Sequence, residues 1–133
     1  MLLDDLKLIE AAATGISFEH HVLQSGQGKI KTEYGEIEFE GGGSLVADES
    51  KSTIHVKAAP TITGYREDAE GADFILKINM RLLYVYPSNL ELTEAFLQSN
   101  SWYFGSFIRT YFKFYADGIL STTTLQGIQL AYN

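Results

Sequence analysis

The chain has 133 residues, 45% of them hydrophobic and 20% charged, with a formal net charge of −7 and no cysteine. That length suits one domain with its own core, spanning 1–133, and is too short for two; the composition is too apolar for a disordered tail. The acidic balance speaks against nucleic acid, whose phosphates need clustered Lys and Arg, and the missing cysteines remove disulfides, zinc ribbons and thiol catalysis.

The opening "MLLDDLKLIEAAATG" lacks the basic start and continuous apolar core of a secretory signal. No run approaches the roughly 20 apolar residues of a spanning helix, so the expected compartment is the cytoplasm, without membrane insertion. Leu2, Leu6, Ile9 and Ala13 recur at helical spacing and predict a short N-terminal helix ended by Thr14-Gly15. "GISFEHHVLQ" then alternates as a strand, with Ile16, Phe18, His20 and Val22 on one face and Ser17, Glu19 and His21 on the other. After the turn "SGQG", "KIKTEYGEIEFEG" predicts a second strand carrying Ile30, Thr32, Tyr34, Ile37 and Phe39, with Gly35 as a bulge. "GGGS", Gly41 to Ser44, is expected as a flexible loop.

"KSTIHVKAAPTITGY" predicts a third strand with Ile54, Val56 and Ala58 on its apolar side. Pro60 cannot donate to a ladder and belongs at an edge or bulge. "DFILKINMRLLYVYP" is the clearest strand: Phe74, Leu76, Ile78, Met80, Leu82, Tyr84 and Tyr86 share a face, and Pro87 stops it. "NLELTEAFLQSN" is a short helical or irregular link. "WYFGSFIRTYFKFYADGIL" predicts a long helix with Phe104, Phe107, Ile108, Tyr111 and Tyr115 on one stripe, Ser106, Arg109, Lys113 and Asp117 opposite, and Asp117-Gly118 as its end. The tail "STTTLQGIQLAYN" is extended or irregular. Strands followed by helices define an α+β fold: a four-stranded antiparallel sheet, covered on one face by a long C-terminal helix, with a short N-terminal helix.

Catalytic chemistry finds little support. His20 and His21 are adjacent on a strand and point to opposite faces, His55 lies on another strand, and no metal-ligand spacing surrounds them. Glu36, Glu38 and Glu40 line one strand face at about 7 Å intervals, as a solvated face does. "GGGS" is followed by no Lys and no helix, so it is not a phosphate loop, and no G-x-S-x-G is present. The expectation is a protein that is not an enzyme and has neither metal nor cofactor.

What stands out is apolar surface. Tyr103, Phe112 and Phe114 widen the helix stripe beyond one seam, and Leu83 and Val85 add apolar groups to the polar side of the fourth strand. Each large apolar side chain contributes roughly 1.5–3 kcal/mol when buried, so the excess should meet another copy or a partner. A pocket between sheet and helix for a small ligand, or a structural assembly domain, is the alternative.

At this point the order of elements resembles the SecB family of export chaperones. "GISFEHH" resembles its first strand, "STIHVKAAPTITGY" and "DFILKINMRLLYVYP" its long third and fourth strands, "WYFGSFIRTYFKFYADGIL" its first long helix, and "LQGIQL" its crossover segment. Gly105, Ser106 and Phe107 stand where the family usually has a Pro-Tyr pair before the helix Arg. The resemblance implies an ATP-independent holdase for unfolded polypeptides, preprotein or antitoxin, assembled as a homotetramer, a dimer of dimers. It places a client groove at Tyr34, Ile37, Phe39, Leu125, Ile128, Leu130 and Tyr132, each of which could equally be core or subunit interface. It places a dimer-joining helix face at Ser106, Arg109 and Lys113. The family also carries a second helix and, in the export chaperone, an acidic tail that docks the translocase motor; neither is expected before Asn133, so docking to that motor is not expected.

Overall fold

The computed structural model describes residues 1–21, 28–45, 48–66 and 71–123. A 3-10 turn, Leu3–Asp5, leads into strands β1 (Lys7–His20), β2 (Gly28–Glu33), β3 (Glu38–Leu45), β4 (Asp48–Ala58), β5 (Thr61–Arg66) and β6 (Phe74–Pro87), then helices α1 (Glu94–Ser99) and α2 (Ser101–Leu120). The fold is α+β, an antiparallel sheet with a C-terminal helix, and the sheet has six strands rather than four.

The extra strands arise at two breaks. β4 and β5 run along the same edge of β6 in one register, Ala58 opposite Met80 and Thr61 opposite Lys77. Pro60 interrupts the ladder by lacking an N–H, yet its carbonyl accepts from Ile78 N–H at 3.1 Å, so the row continues across it. β2 pairs with β5 and β3 with β4, and the segment between them holds one more residue than the facing row. Gly35 turns that segment with φ 68, a conformation open to glycine and costly for other residues.

The predicted N-terminal helix is a strand. β1 is 14 residues long, as is β6, and pairs along it from Lys7 opposite Val85 to His20 opposite Phe74. Register shifts fall between Leu8 and Glu10 and between Ala13 and Gly15, which makes Ile9 and Thr14 the extra residues. Two bulges in one strand let apolar groups fall at uneven spacing, and that spacing mimics a helical period. The "GGGS" segment is no loop either: Gly41 to Ser44 lie within β3, where Gly41, Gly43 and Ser44 pair with β4 and Gly42 bulges between them. A Cβ on Gly42 would stand 2.3 Å from Thr53 Oγ1 and 3.2 Å from the His55 ring, so close strand packing excludes a side chain there.

The core lies between the sheet and α2. Phe74, Leu76, Ile78, Met80, Leu82 and Tyr84 of β6 are buried with Ile54 and Val56 of β4 and Ile62 of β5. The buried line of α2 is Phe104, Ile108, Phe112, Ala116 and Leu120, at steps of one helical turn. It is rotated from the expected stripe: Phe107, Tyr111 and Tyr115 are half-buried flanks, and Phe112 stands at the centre. The helix also runs through Asp117-Gly118 to Leu120. α1 begins where Thr93 Oγ1 accepts the Phe96 N–H at 3.1 Å.

Candidate functional site

Where the chain leaves β2 and enters β3, Tyr34 to Phe39 run along the outer edge of the sheet, opposite Val56 to Pro60 and beside α2. Phe39 meets the Phe104 ring edge-on at 5.2 Å, and Tyr34 meets Phe112 at 5.8 Å. Ile37 packs close to buried Gly105, where an added Cβ would stand 3.8 Å from Ile37 Cδ1. Across from this segment, α1 and the first turn of α2 form a second wall. Between the walls runs an open groove of about 770 Å³. Its apolar floor is Ile37, Phe39 and Leu97; Glu36 and Glu94 stand in its lining as carboxylates, with Gln98, Ser101 and Gly35 completing it. Among the described residues no basic side chain lines it.

Of the residues singled out from sequence, Ile37 and Phe39 lie in this groove. Tyr34 is not in its lining; its ring packs against Phe112, with the Arg109 guanidinium 5.7 Å from its ring centre. Burial pushes the Tyr34 phenol above its ordinary value, and the nearby Arg109 charge offsets this in part. Leu125, Ile128, Leu130 and Tyr132 lie outside the described residues.

The three helix residues fall on one side of α2, within about 60° of arc. Ser106 is exposed, while Arg109 and Lys113 are half-buried and Arg109 turns toward Tyr34. Lys113 Nζ donates to Asp117 Oδ2 at 2.7 Å. The outward line of α2 is instead Trp102, Ser106, Thr110, Phe114 and Gly118, all exposed. Sequence reasoning also missed Glu94, Leu97 and Gln98 as groove residues. The Thr93 cap ahead of an apolar pair was the available signal for α1, but where α1 sits depends on its packing against α2.

The opposite face of the sheet carries paired charges beside half-buried Leu83 and Val85. Glu10 accepts from Arg81 Nη2 at 3.2 Å, and Glu40 accepts from Lys57 Nζ. That hydrogen bond and the lysine charge hold the Glu40 carboxyl below the usual carboxylate range. A hollow of about 510 Å³ lies between Asn79, Arg81 and Lys57 on one side and Glu36 and Glu38 on the other. Among the described residues no three His, Cys, Asp or Glu side chains are placed to hold a metal ion.

No family model matches the sequence, and no curated protein matches it. By fold, the chain is similar to a solved structure described as "Mycobacterium tuberculosis Rv1957 SecB-like chaperone in complex with a ChAD peptide from Rv1956 HigA1 antitoxin". The TM-score is 0.61 at 14% identity, over 96% of this chain and 90% of that one. At that identity the likeness is a distant one of fold.

Proposed function

We propose that this protein is an ATP-independent holdase that captures non-native polypeptide, an antitoxin or a preprotein segment, in the groove between β3 and α1. The observation that carries this reading is the groove itself: an apolar floor with carboxylates and, among the described residues, no cation in its lining, open to solvent, on a fold similar to that of a SecB-like chaperone seen with an antitoxin peptide. Burial of apolar client side chains supplies the affinity. An open floor without a closed polar constellation suits many sequences rather than one small ligand. No catalytic step is assigned, and the protein acts in the cytoplasm.

Copies assemble through α2. On its outward line Trp102 is 63% and Phe114 72% exposed. Between them Ser106 Oγ donates to Tyr103 O at 2.8 Å and Thr110 Oγ1 to Ser106 O at 2.9 Å, so both hydroxyls are satisfied by their own helix. Two such helices packed antiparallel about Thr110 set Trp102 over Gly118 and Phe114 over Ser106, large against small in a self-matching pattern. Repeated with a second interface, this gives the tetramer.

The groove assignment is tested by Ile37→Asp. Titrated against a labelled, permanently unfolded chain, the variant should bind at least about ten-fold more weakly than the original protein, from loss of one buried aliphatic group and the desolvation of a carboxylate. Equal affinity would remove the groove from the account.

A further inference from the structure

We infer that Arg109 is a carboxylate receptor: it holds an Asp or Glu side chain of the client beside the apolar residue seated on Ile37. This rests on the client-binding reading above and adds what that surface selects. Arg109 is half-buried on the side of α2 turned toward the β2–β3 link, its guanidinium 5.7 Å from the centre of the Tyr34 ring. Gly105, one turn earlier, makes room for it. A Cβ there would stand 3.4 Å from Arg109 Nη2 and 3.8 Å from Ile37 Cδ1, so guanidinium and isoleucine meet the same bare patch of helix. The ring face attracts the charge but leaves the in-plane N–H donors to be satisfied elsewhere.

Among the described residues no carboxylate answers those donors, whereas Arg81 reaches Glu10 and Lys57 reaches Glu40. The helix itself supplies none. One turn to either side of Arg109 stand Gly105 and Lys113, and Lys113 Nζ already donates to Asp117 Oδ2 at 2.7 Å. This side of α2 therefore sets two cations one turn apart against one carboxylate, a local positive excess on a chain of net charge −7. The excess favours an anionic occupant, and a planar carboxylate can take two guanidinium N–H groups at once. A second copy packs on the outward line from Trp102 to Gly118, and Arg109 turns away from that line toward Tyr34. Ile37 fixes the neighbour of the bound carboxylate as apolar. Glu36 and Glu94 in the groove lining would by themselves disfavour acidic segments, so Arg109 reverses the sign of selection. The recognised segment is apolar with an acidic residue at its flank.

The test uses two capped synthetic peptides that share one apolar core of Ile, Leu and Phe. One carries Asp on both flanks of the core and the other Asn. The original protein should bind the Asp peptide about ten-fold more tightly at low salt, and the preference should shrink at about 0.5 M salt. Arg109→Gln, with unchanged circular dichroism, should abolish or invert the preference, and Arg109→Lys should keep part of it. Equal binding of the two peptides by the original protein, or tighter binding of the Asn peptide, would overturn the inference without recourse to a variant. An Asp preference that survives in Arg109→Gln would overturn it too, and a smaller species of that variant in sedimentation would then place the acceptor of Arg109 in a second copy. If neither peptide binds while an unfolded full-length chain still does, the carboxylate receptor falls and the holdase reading stands. If neither peptide nor chain binds, both fall.

Discussion

Gly64 and Gly41 look alike in the sequence and behave oppositely in the sheet. A Cβ on Gly64 would stand 2.1 Å from the Phe74 ring, which lies across the glycine with Phe18 and His20 packed beside it at centroid distances of 6.4 Å. Gly64→Ala should lower stability by about 1–3 kcal/mol in urea unfolding, the usual cost of overpacking a core. Gly41→Val should stay within about 0.5 kcal/mol, as a substitution into open space does. Tyr84 makes the reverse case. Its ring is held by Phe104 and Phe107 at 5.3 and 6.0 Å, but its hydroxyl is buried without a partner among the described residues. Tyr84→Phe should raise stability by about 1 kcal/mol. Burial holds the Tyr84 phenol well above its ordinary value and also raises Tyr115 and Tyr34. The folded chain keeps these protons at a pH where the unfolded chain releases them. Their contribution is therefore complete below about pH 10 and is lost as pH rises beyond it. Alkaline unfolding should begin above that pH, and its midpoint should move upward in Tyr84→Phe.

At the scale of elements, β6 and α2 were legible because each declares one period over many residues. Phe74 to Tyr84 alternate without a fault, and Phe104, Ile108 and Phe112 recur by turns. β1 was not legible. Leu2, Leu6, Ile9 and Ala13 fit a helical spacing, yet Leu2 and Leu6 flank the 3-10 turn ahead of the strand, the bulges at Ile9 and Thr14 displace the strand's alternation, and the partner that makes it a strand lies far along the chain. Strand number failed at Gly35 and Pro60, both visible as breaks; whether a break divides a strand or merely kinks it depends on the neighbouring row. Ile37 and Phe39 were named through resemblance to a family, whereas Leu97 and Glu94 reach the groove only through packing of α1. The α2 pattern carries its own prediction. A Cβ on Gly118 meets nothing within 4 Å in the single chain, so Gly118→Leu should leave the fold intact and strengthen the helix by up to about 1 kcal/mol. The same substitution should weaken assembly, because Leu would occupy the place taken by Trp102 of a second copy. Sedimentation should show the smaller species, with the emission of Trp102, the lone tryptophan, shifted to the red. An unchanged assembly would rule out packing about Thr110.

At the scale of the molecule, the two faces of the sheet divide the work. One carries the ion pairs Glu10 with Arg81 and Glu40 with Lys57 beside half-buried Leu83 and Val85. The other holds the core beneath α2 and, where α2 begins, opens into the acidic-rimmed groove. A net charge of −7 favours solubility while that apolar floor stays accessible. The most direct measurement is light scattering from a denatured protein diluted out of urea, in the absence of nucleotide. The account predicts that an equimolar amount of this protein's assembly suppresses the scattering, and that Ile37→Asp, with fold and assembly retained, does not. Scattering that rises undiminished in the presence of the original protein, for basic and acidic test proteins alike, would contradict it.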